Sequence, residues 1–178
     1  MKVMSGKYMG RNLLGFNIDG TRPTMDRVKE SLFAMIQDYL AEATILDLFC
    51  GSGALGIEAL SQNSKYAYFI DKNPKAINIV KKNIETLDIT NAEVIRNDYL
   101  KFLESTTNTF DVIFLDPPYK TDFISKTLNI IEKRNLLNDK GIIVCETDQL
   151  NKVNNNNFTS IKEKKYGDKY IVILKKIV

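Results

Sequence analysis

Five short apolar segments alternate with amphipathic segments across the middle of the chain. The apolar segments have the length and content of buried β-strands, and the segments between them have the 3.6-residue period of helices. The predicted strands span residues 44–49, 66–71, 93–96, 111–115 and 141–146, and the predicted helices span 54–62, 75–88, a short run after Asp98, and 121–134. Apolar strands joined by helices form a parallel sheet that is covered on both faces and has right-handed crossovers. The sequence therefore predicts an α/β fold.

The C-terminal part departs from this alternation. Residues 158–166 and 169–176 read as two strands, and only Gly167 and Asp168 separate them. A two-residue connection of this kind is typical of an antiparallel hairpin. The asparagine-rich stretch 151–157 before it is predicted to be a surface loop. We therefore expect five parallel strands followed by an antiparallel hairpin.

The N-terminal part also differs. Residues 1–22 contain apolar residues punctuated by glycines, which predicts a small β-hairpin appendage. Thr24 is predicted to cap a helix over residues 25–40, where apolar residues recur at helical spacing. The expected organisation is a main domain over residues 23–178 with the hairpin appendage before it.

Composition excludes several classes of protein. A chain of 178 residues can form one compact domain with a small appendage. No apolar run approaches the roughly 20 residues of a membrane-spanning helix, and no signal-peptide core is present, so the interpretation is a cytoplasmic protein. Cys50 and Cys145 lack ligand spacing, and histidine is absent. We therefore expect no disulfide framework, no metal site and no imidazole chemistry.

Positive charge is concentrated near the N-terminus. The net charge is +3, and residues 1–34 contain six basic residues against three acidic ones, which accounts for the whole excess. A basic segment on a balanced body is a candidate surface for a polyanion such as RNA, with a solvated charged face as the alternative. The candidate RNA-binding residues are Lys7, Arg11, Arg22, Arg27 and Lys29.

A glycine-rich loop joins the first predicted strand to its helix. It begins at Asp47 and continues through Phe49, Gly51 and Gly53 to Gly56. Glycines allow a sharp turn and a close approach to a ligand, and the following helix N-terminus offers free N–H groups. The loop predicts a nucleotide-cofactor site, which Phe49 can flank.

Acidic residues at the strand ends indicate which cofactor fits this loop. Asp71 ends the second strand, where its carboxylate can accept both ribose hydroxyls, and Asn73 lies beside it. Asp98 can accept the adenine amino group, although an aspartate there is equally typical of a helix cap. Asp47 can hold the ammonium of a methionine moiety, whereas its charge would repel a pyrophosphate. These residues favour S-adenosylmethionine over a nicotinamide dinucleotide, whose G-x-G-x-x-G fingerprint the loop also satisfies.

The fourth strand ends in the most specific motif of the sequence, Asp116-Pro117-Pro118-Tyr119. Ligands of open α/β sheets bind beyond the carboxyl ends of the strands, so this motif shares a rim with the glycine loop. Asp116 and a backbone carbonyl of the stiff Pro-Pro turn can accept hydrogen bonds from an exocyclic amino group and aim its lone pair at a sulfonium methyl. Tyr119 offers a flat face on which an extruded base can stack. The motif predicts methyl transfer to an amino group of a base.

Together these motifs resemble the Rossmann-like class I methyltransferases that modify amino groups. More narrowly, Gly10-Arg11, Thr21-Arg22-Pro23-Thr24 and the segments 26–33 and 51–60 resemble the RsmD family of bacterial 16S ribosomal RNA guanine-N2 methyltransferases. The resemblance implies a seven-stranded sheet with its last strand antiparallel and S-adenosylmethionine as cofactor. It also implies methylation of the 2-amino group of a guanosine in small-subunit ribosomal RNA, by a monomer acting on an assembling ribosomal subunit.

Three other functions stay open on the sequence alone. An amino methyltransferase acting on adenine in DNA, or on another RNA, shares the D-P-P-Y motif, and only the short chain without a recognition domain argues against DNA. A non-catalytic RNA-binding assembly factor is disfavoured because every expected rim carboxylate is present. A nicotinamide oxidoreductase comes last.

Overall fold

The computed structural model describes residues 1–15, 23–118 and 122–177. Its helices are α1 (Pro23–Ile36), α2 (Ala54–Ser61), α3 (Pro74–Thr86), α4 (Tyr99–Ser105) and α5 (Phe123–Arg134). Its strands are β1 (Thr44–Leu48), β2 (Tyr66–Asp71), β3 (Ala92–Arg96), β4 (Phe110–Leu115), β5 (Leu137–Thr147), β6 (Phe158–Tyr166) and β7 (Lys169–Lys176). Short 3-10 helices span Gln37–Tyr39 and Leu150–Val153. Within these ranges, no helix is both long enough and apolar enough to cross a membrane.

All seven strands form one sheet in the order β3-β2-β1-β4-β5-β7-β6. Strands β1 to β5 pair in parallel, whereas β7 runs antiparallel to both of its neighbours, β5 and β6. The prediction of five parallel strands and a terminal hairpin is confirmed. Strand order changes direction between β1 and β4, and a crevice at the carboxyl ends of such a pair is the usual ligand site of an open α/β sheet.

Helices cover both faces of the sheet because the parallel strands are apolar on both sides. Helices α1, α2 and α3 pack with Phe69 and Phe114 on one face, and α4 and α5 pack with Leu48 and Ile113 on the other. These four strand residues are fully buried, each with 0% of its surface exposed. Burial of apolar surface in these two cores is the main stabilising contribution to the fold. The two cysteines are also buried and free.

Two predicted boundaries are wrong. Helix α1 begins at Pro23, so Thr24 lies inside the helix and is not its cap; proline suits the first helical turn because its φ is fixed and it has no N–H to satisfy. Strand β5 begins at Leu137 rather than at residue 141. Leu137 pairs with Phe110, and this pairing extends the strand through a segment whose own residues favour a turn.

Residues 1–15 form a turn against the main domain rather than a pair of regular strands. One antiparallel bridge joins Lys2 and Asn12, and Val3, Tyr8 and Leu13 are buried in the core on the α1 side of the sheet. The segment that was predicted as an appendage is therefore packed onto the domain over its described part.

A buried ion pair fastens this N-terminal segment to α2. The ammonium of Lys29 lies 3.3 Å from Glu58 Oε1, and the two side chains are 5% and 0% exposed. Lys29 Nζ also donates to the carbonyl oxygen of Lys2 at 2.6 Å, while the N–H groups of Met4 and Ser5 donate to the Glu58 carboxylate at 2.9 and 3.1 Å. The prediction that Lys29 contacts RNA is therefore wrong, because its charge is buried and already paired.

Replacing Lys29 by methionine should lower the free energy of unfolding by about 3 kcal/mol, because breaking a buried ion pair leaves an uncompensated buried carboxylate. Thermal denaturation measures this loss, and Lys82→Met on the exposed side of α3 is the matched control. RNA affinity, measured well below the melting temperature, should not change. A variant with normal stability and weakened RNA binding would return Lys29 to the RNA-binding set.

Candidate functional site

The glycine-rich loop lies between β1 and α2, at the crevice between β1 and β4. Three of its residues have left-handed backbone conformations, with φ of +61° at Phe49, +54° at Gly51 and +81° at Gly53. The N–H of Cys50 donates to the carbonyl of Ile70 at 2.9 Å and ties the loop to β2. A positive φ at a bulky residue such as Phe49 is uncommon and is found most often at functional sites.

Different neighbours explain the three glycines of this loop. A Cβ atom on Gly53 would lie 2.4 Å from Val80 Cγ2, and one on Gly56 would lie 2.4 Å from Phe69 Cε1. These two positions require glycine because α2 packs closely against the sheet and α3. A Cβ atom on Gly51 would meet no atom within 4 Å, so the Gly51 backbone borders open space. Gly51 is therefore the loop glycine best placed to approach a ligand, while packing already accounts for Gly53.

Asp47 is the buried acid of the site, with 2% of its surface exposed. Its Oδ2 accepts a hydrogen bond from the N–H of Gly56 at 3.0 Å. Desolvation by burial raises the pKa of Asp47 to about 8, the Gly56 hydrogen bond opposes this rise, and the neighbouring Asp71 adds to it. A carboxylate that is costly to ionise in this way is stabilised by a cation placed beside it.

Asp71 joins the glycine loop to the next turn. Its Oδ2 accepts from the N–H of Gly51 at 2.9 Å, and its Oδ1 accepts from the N–H of Asn73 at 2.9 Å. Asn73 in turn caps α3, because its side chain accepts from the N–H of Lys75 at 2.8 Å. Asp71 thus holds the glycine loop in place at Gly51, the residue whose backbone borders open space. Asn73 has a structural role as a helix cap.

Asp98 is also a helix cap. Its Oδ2 accepts from the N–H groups of Leu100 and Lys101 at 3.1 and 3.2 Å, at the start of α4. Because both bonds use Oδ2, the other oxygen is the candidate acceptor for a ligand amino group. The structure thus contains the cap that the sequence allowed, at the position where an adenine contact was predicted.

Three aromatic rings pack together between the glycine loop and the start of α5. The ring of Phe49 lies 5.0 Å from that of Tyr99 and 5.7 Å from that of Phe123, and the last two meet edge to face at 4.9 Å. Phe49 is half-buried. The cluster closes one side of the crevice and presents the partly exposed ring of Phe49 beside the loop, where the sequence predicted a cofactor contact.

The D-P-P-Y motif begins directly after β4, next to the glycine loop on β1. Pro117 is buried, whereas Asp116 and Pro118 are exposed. Asp116 shares a hydrogen bond with Glu146, which stands at the end of β5. Lys169 Nζ lies 3.4 Å from Glu146 Oε1 on the other side of the pair. The two acids meet because β4 and β5 are adjacent and parallel; Tyr119 lies outside the described residues.

The pKa of Asp116 is raised well above its ordinary value. Desolvation is the largest cause, followed by repulsion from Glu146 and by the hydrogen bond with it, while Lys169 acts in the opposite direction. The Asp116 side chain is exposed, so solvent screening moderates these effects. The hydrogen bond with Glu146 therefore favours the protonated form of Asp116.

Glu146 is the residue of the site that the sequence analysis missed. The signal was present, since Glu146 ends the fifth predicted strand and the rule that located Asp116 applies to every parallel strand. Glu146 lines one cleft together with Pro117, Pro118 and Ile124 of α5. Its side chain therefore lies beside the D-P-P-Y motif at the rim.

The RNA-binding candidates occupy different environments. Lys7, Arg11 and Arg27 are exposed, and Arg11 also donates to the carbonyl oxygen of Thr86 at 3.2 Å. Arg22 lies outside the described residues. The exposed members stay candidates for contact with phosphates.

The acids along this rim fit a cationic cofactor. Each of the five parallel strands ends in or near one carboxyl group: Asp47, Asp71, Asp98, Asp116 and Glu146. Such a set would repel the pyrophosphate of a dinucleotide and attract the sulfonium and ammonium groups of S-adenosylmethionine. Among the described residues, no cluster of three or more acidic or cysteine side chains is arranged to hold a metal ion.

Comparison with known proteins agrees with this assignment. The family described as Conserved hypothetical protein 95 matches residues 1–175. The chain is 44% identical over 153 residues to YlbH of Bacillus subtilis (strain 168), provisionally named an rRNA methyltransferase; the match covers 84% of this chain and 83% of YlbH. It is 37% identical over 172 residues to Ribosomal RNA small subunit methyltransferase D of Haemophilus influenzae (strain ATCC 51907 / DSM 11121 / KW20 / Rd), covering 94% of this chain and 89% of that protein.

Solved structures extend the match to the whole fold. The yhhF protein of Escherichia coli superposes with a TM-score of 0.90 at 31% identity, covering 99% of this chain and 97% of that chain. The HI0767 protein of Haemophilus influenzae gives a TM-score of 0.83 at 32% identity, covering 99% of this chain and 98% of that chain. The chain therefore belongs to the Conserved hypothetical protein 95 family, which is the RsmD family that its motifs resemble.

Proposed function

We propose that this protein transfers a methyl group from S-adenosylmethionine to the exocyclic 2-amino group of a guanosine in small-subunit ribosomal RNA. Relatives at 37% and 34% identity are named Ribosomal RNA small subunit methyltransferase D, which supports ribosomal RNA as the substrate class. The observation that carries the proposal is the position of Asp116, Pro117 and Pro118 beside the glycine loop, on two adjacent strands.

The rim residues would hold the cofactor and the base side by side. Asp47, Gly51, Asp71 and Asp98 would bind the cofactor, and Phe49 would pack against it. When bound, S-adenosylmethionine supplies an electrophilic methyl group on a sulfonium centre. None of these residues needs to exchange a proton with that group, so the absence of histidine is no obstacle.

Asp116 and the Pro117 backbone would orient the amino group of the base. A base amino group is a weak nucleophile because its lone pair is delocalised into the ring. Hydrogen bonds from its two N–H groups to the Asp116 carboxylate and to a turn carbonyl localise that pair and aim it at the methyl carbon. The N–C bond would form as the C–S bond breaks with its electron pair going to sulfur, and the proton lost by the methylated nitrogen would pass to the Asp116 carboxylate or to solvent.

Glu146 favours guanine over adenine as the base. Guanine presents N–H donors at both N1 and the 2-amino group, whereas adenine presents an acceptor at N1 beside its amino group. Two neighbouring carboxyl groups can accept from both guanine positions, but a carboxylate facing the adenine N1 lone pair would be repelled. The Asp116–Glu146 pair therefore supports guanine as the substrate.

The rest of the RNA would contact residues outside this pair. We place Tyr119 against the face of the extruded base, and Lys7, Arg11, Arg22 and Arg27 against phosphates. We also propose that the protein acts in the cytoplasm, as a monomer on an assembling small subunit.

The product of the reaction tests this function directly. The purified protein is incubated with labelled S-adenosylmethionine and small ribosomal subunits from a strain lacking it, with matched genomic DNA in parallel. We expect label in 2-methylguanosine of the small-subunit RNA. Label confined to adenine, in RNA or DNA, would contradict the guanine assignment. No label in any substrate, with RNA still bound, would favour a non-catalytic assembly factor.

A further inference from the structure

The outer edge of the sheet is strongly basic, although the sequence beyond residue 34 has no net charge. Residues 158–177 contain six lysines against two acidic residues, an excess larger than the +3 of the whole chain. Strand β6 is the edge strand, and its residues 159–165 are all exposed. Lys162, Lys164 and Lys165 therefore lie on an exposed edge strand.

This edge begins near the rim at the carboxyl ends of the parallel strands, where Asp116 and Glu146 lie. Strand β6 runs parallel to β5, because both are antiparallel to β7, so its last residues lie at the same end of the sheet as Glu146. The turn at Gly167 and Asp168 follows at once, and Lys169 beyond it lies within 3.4 Å of the Glu146 carboxylate. A strand of nucleic acid leaving the crevice on this side would meet the turn and then β6.

The same edge continues onto α1. Lys164 donates to the Ser31 hydroxyl at 3.0 Å, and Ser31 shares a 2.6 Å hydrogen bond with the Tyr166 hydroxyl. Arg27 is exposed and lies one helical turn before Ser31, on the same side of α1. Arg27 and the lysines of β6 thus lie along the same edge of the molecule.

Aromatic rings accompany the lysines at the rim end of this surface. The ammonium of Lys164 lies 5.3 Å from the Tyr166 ring centre, and that of Lys165 lies 5.6 Å from the Tyr170 ring centre. The two pairs lie on opposite faces of the sheet, because Tyr166 packs with the core on the α1 side and Tyr170 with the core on the other side. They therefore place cations on both sides of the edge, where each can attract a phosphate of an RNA backbone that follows it.

We propose that the exposed edge formed by β6 and the β6–β7 turn, extended by Arg27, is a docking surface for the backbone of the RNA substrate. It rests on the proposed function, since RNA must be what enters the crevice. A purely protective role is the physical alternative, because lysines on an edge strand also prevent sheets of two molecules from pairing.

A matched pair of double variants separates these roles. Lys162→Gln with Lys165→Gln removes two charges from the edge and leaves the Lys164–Ser31 contact in place. Lys133→Gln with Lys140→Gln removes two exposed charges near the start of β5, at the opposite end of the sheet. Affinity for an unmodified 16S RNA transcript is measured against salt concentration, together with S-adenosylhomocysteine affinity and size-exclusion elution.

The edge variant should bind RNA more weakly, with the slope of log affinity against log salt reduced by about one for each lysine. Its S-adenosylhomocysteine affinity should equal that of the wild type, and the control variant should match the wild type throughout. An unchanged slope in the edge variant would overturn the proposal, and self-association of that variant would then assign the lysines to edge protection. A wild type that neither binds nor methylates RNA would instead overturn the proposed function.

Discussion

Replacing Asp116 by alanine should reduce the rate of single-turnover methyl transfer by about 10²- to 10³-fold, the usual loss when one preorganised hydrogen-bonding group is removed from a reacting centre. Asp116 follows β4 directly and stands beside the glycine loop, where its carboxylate can accept from the amino group under attack. S-adenosylhomocysteine affinity should change much less, because Asp116 is proposed to contact the amino group of the base and not the cofactor.

Asp139→Ala is the control for this prediction. The Asp139 side chain is fully exposed near the start of β5, at the end of the sheet away from the rim, and it pairs only loosely with Lys176 at 3.6 Å. Both variants lose one carboxylate, so a difference between them isolates the position of Asp116. Near-normal transfer by Asp116→Ala would rule out its role in orienting the amino group.

The acid pair gives the same prediction a second readout. The ionised carboxylate of Asp116 is a stronger hydrogen-bond acceptor than the protonated group, and the pKa of Asp116 is raised by desolvation first and then by Glu146. The wild-type rate should therefore rise with pH as Asp116 loses its proton. Replacing Glu146 by glutamine removes the repulsion, so the rising limb of the pH profile should move to lower pH. A limb that stays in place in Glu146→Gln would show that the two groups are not coupled.

Local sequence was sufficient for the main elements of the fold. Strands such as β4 are continuous apolar runs, and that pattern fits a strand buried on both faces whatever its partners. The hairpin bounds also follow from local chemistry, because Gly167 and Asp168 leave room for only a two-residue turn. The start of β5 did not follow, since it depends on pairing with Phe110 rather than on the residues 138–141 themselves.

Site residues were predictable where position along a strand decided their role. Asp116 and Asp71 could be located because each ends an apolar strand, and Glu146 could have been located in the same way. The role of Lys29 could not, because its sequence neighbours read as a basic amphipathic helix and only the fold places Glu58 beside it. Similarly, spacing alone could not show that Gly53 is fixed by Val80 while Gly51 faces open space.

Replacing Asp47 by asparagine should stabilise the ligand-free protein at pH 8 by a few kcal/mol while weakening cofactor binding. Burial raises the pKa of Asp47 from 3.8 to about 8, and each unit is worth about 1.4 kcal/mol. Below pH 4 the Asp47 carboxyl group is protonated in both the folded and the unfolded protein, so burying it carries no ionisation cost and the folded protein keeps its full stability. As pH rises towards 8 the unfolded chain ionises while the folded protein holds its proton, and stability is lost.

Asparagine cannot ionise, and its side-chain oxygen can still accept from the N–H of Gly56. The stability difference between Asp47→Asn and the wild type should therefore be small near pH 4 and should grow until about pH 8. Asp38→Asn, at an exposed carboxylate in the 3-10 helix after α1, should show no such growth. Thermal denaturation across this pH range measures the difference, and one that did not change with pH would contradict the raised pKa.

Cofactor affinity should move in the opposite direction to stability. If the Asp47 carboxylate holds the ammonium of the methionine moiety, S-adenosylhomocysteine should bind the wild type more tightly as pH rises from 6 to about 8, because the ionised form is the one that attracts a cation. Asp47→Asn should bind S-adenosylhomocysteine at least about tenfold more weakly than the wild type, which corresponds to about 1.4 kcal/mol or more. Its affinity should also lack this pH dependence. Calorimetry measures both quantities. Undiminished affinity in Asp47→Asn would mean that the buried charge, which makes the ligand-free protein less stable, serves some purpose other than holding the ammonium.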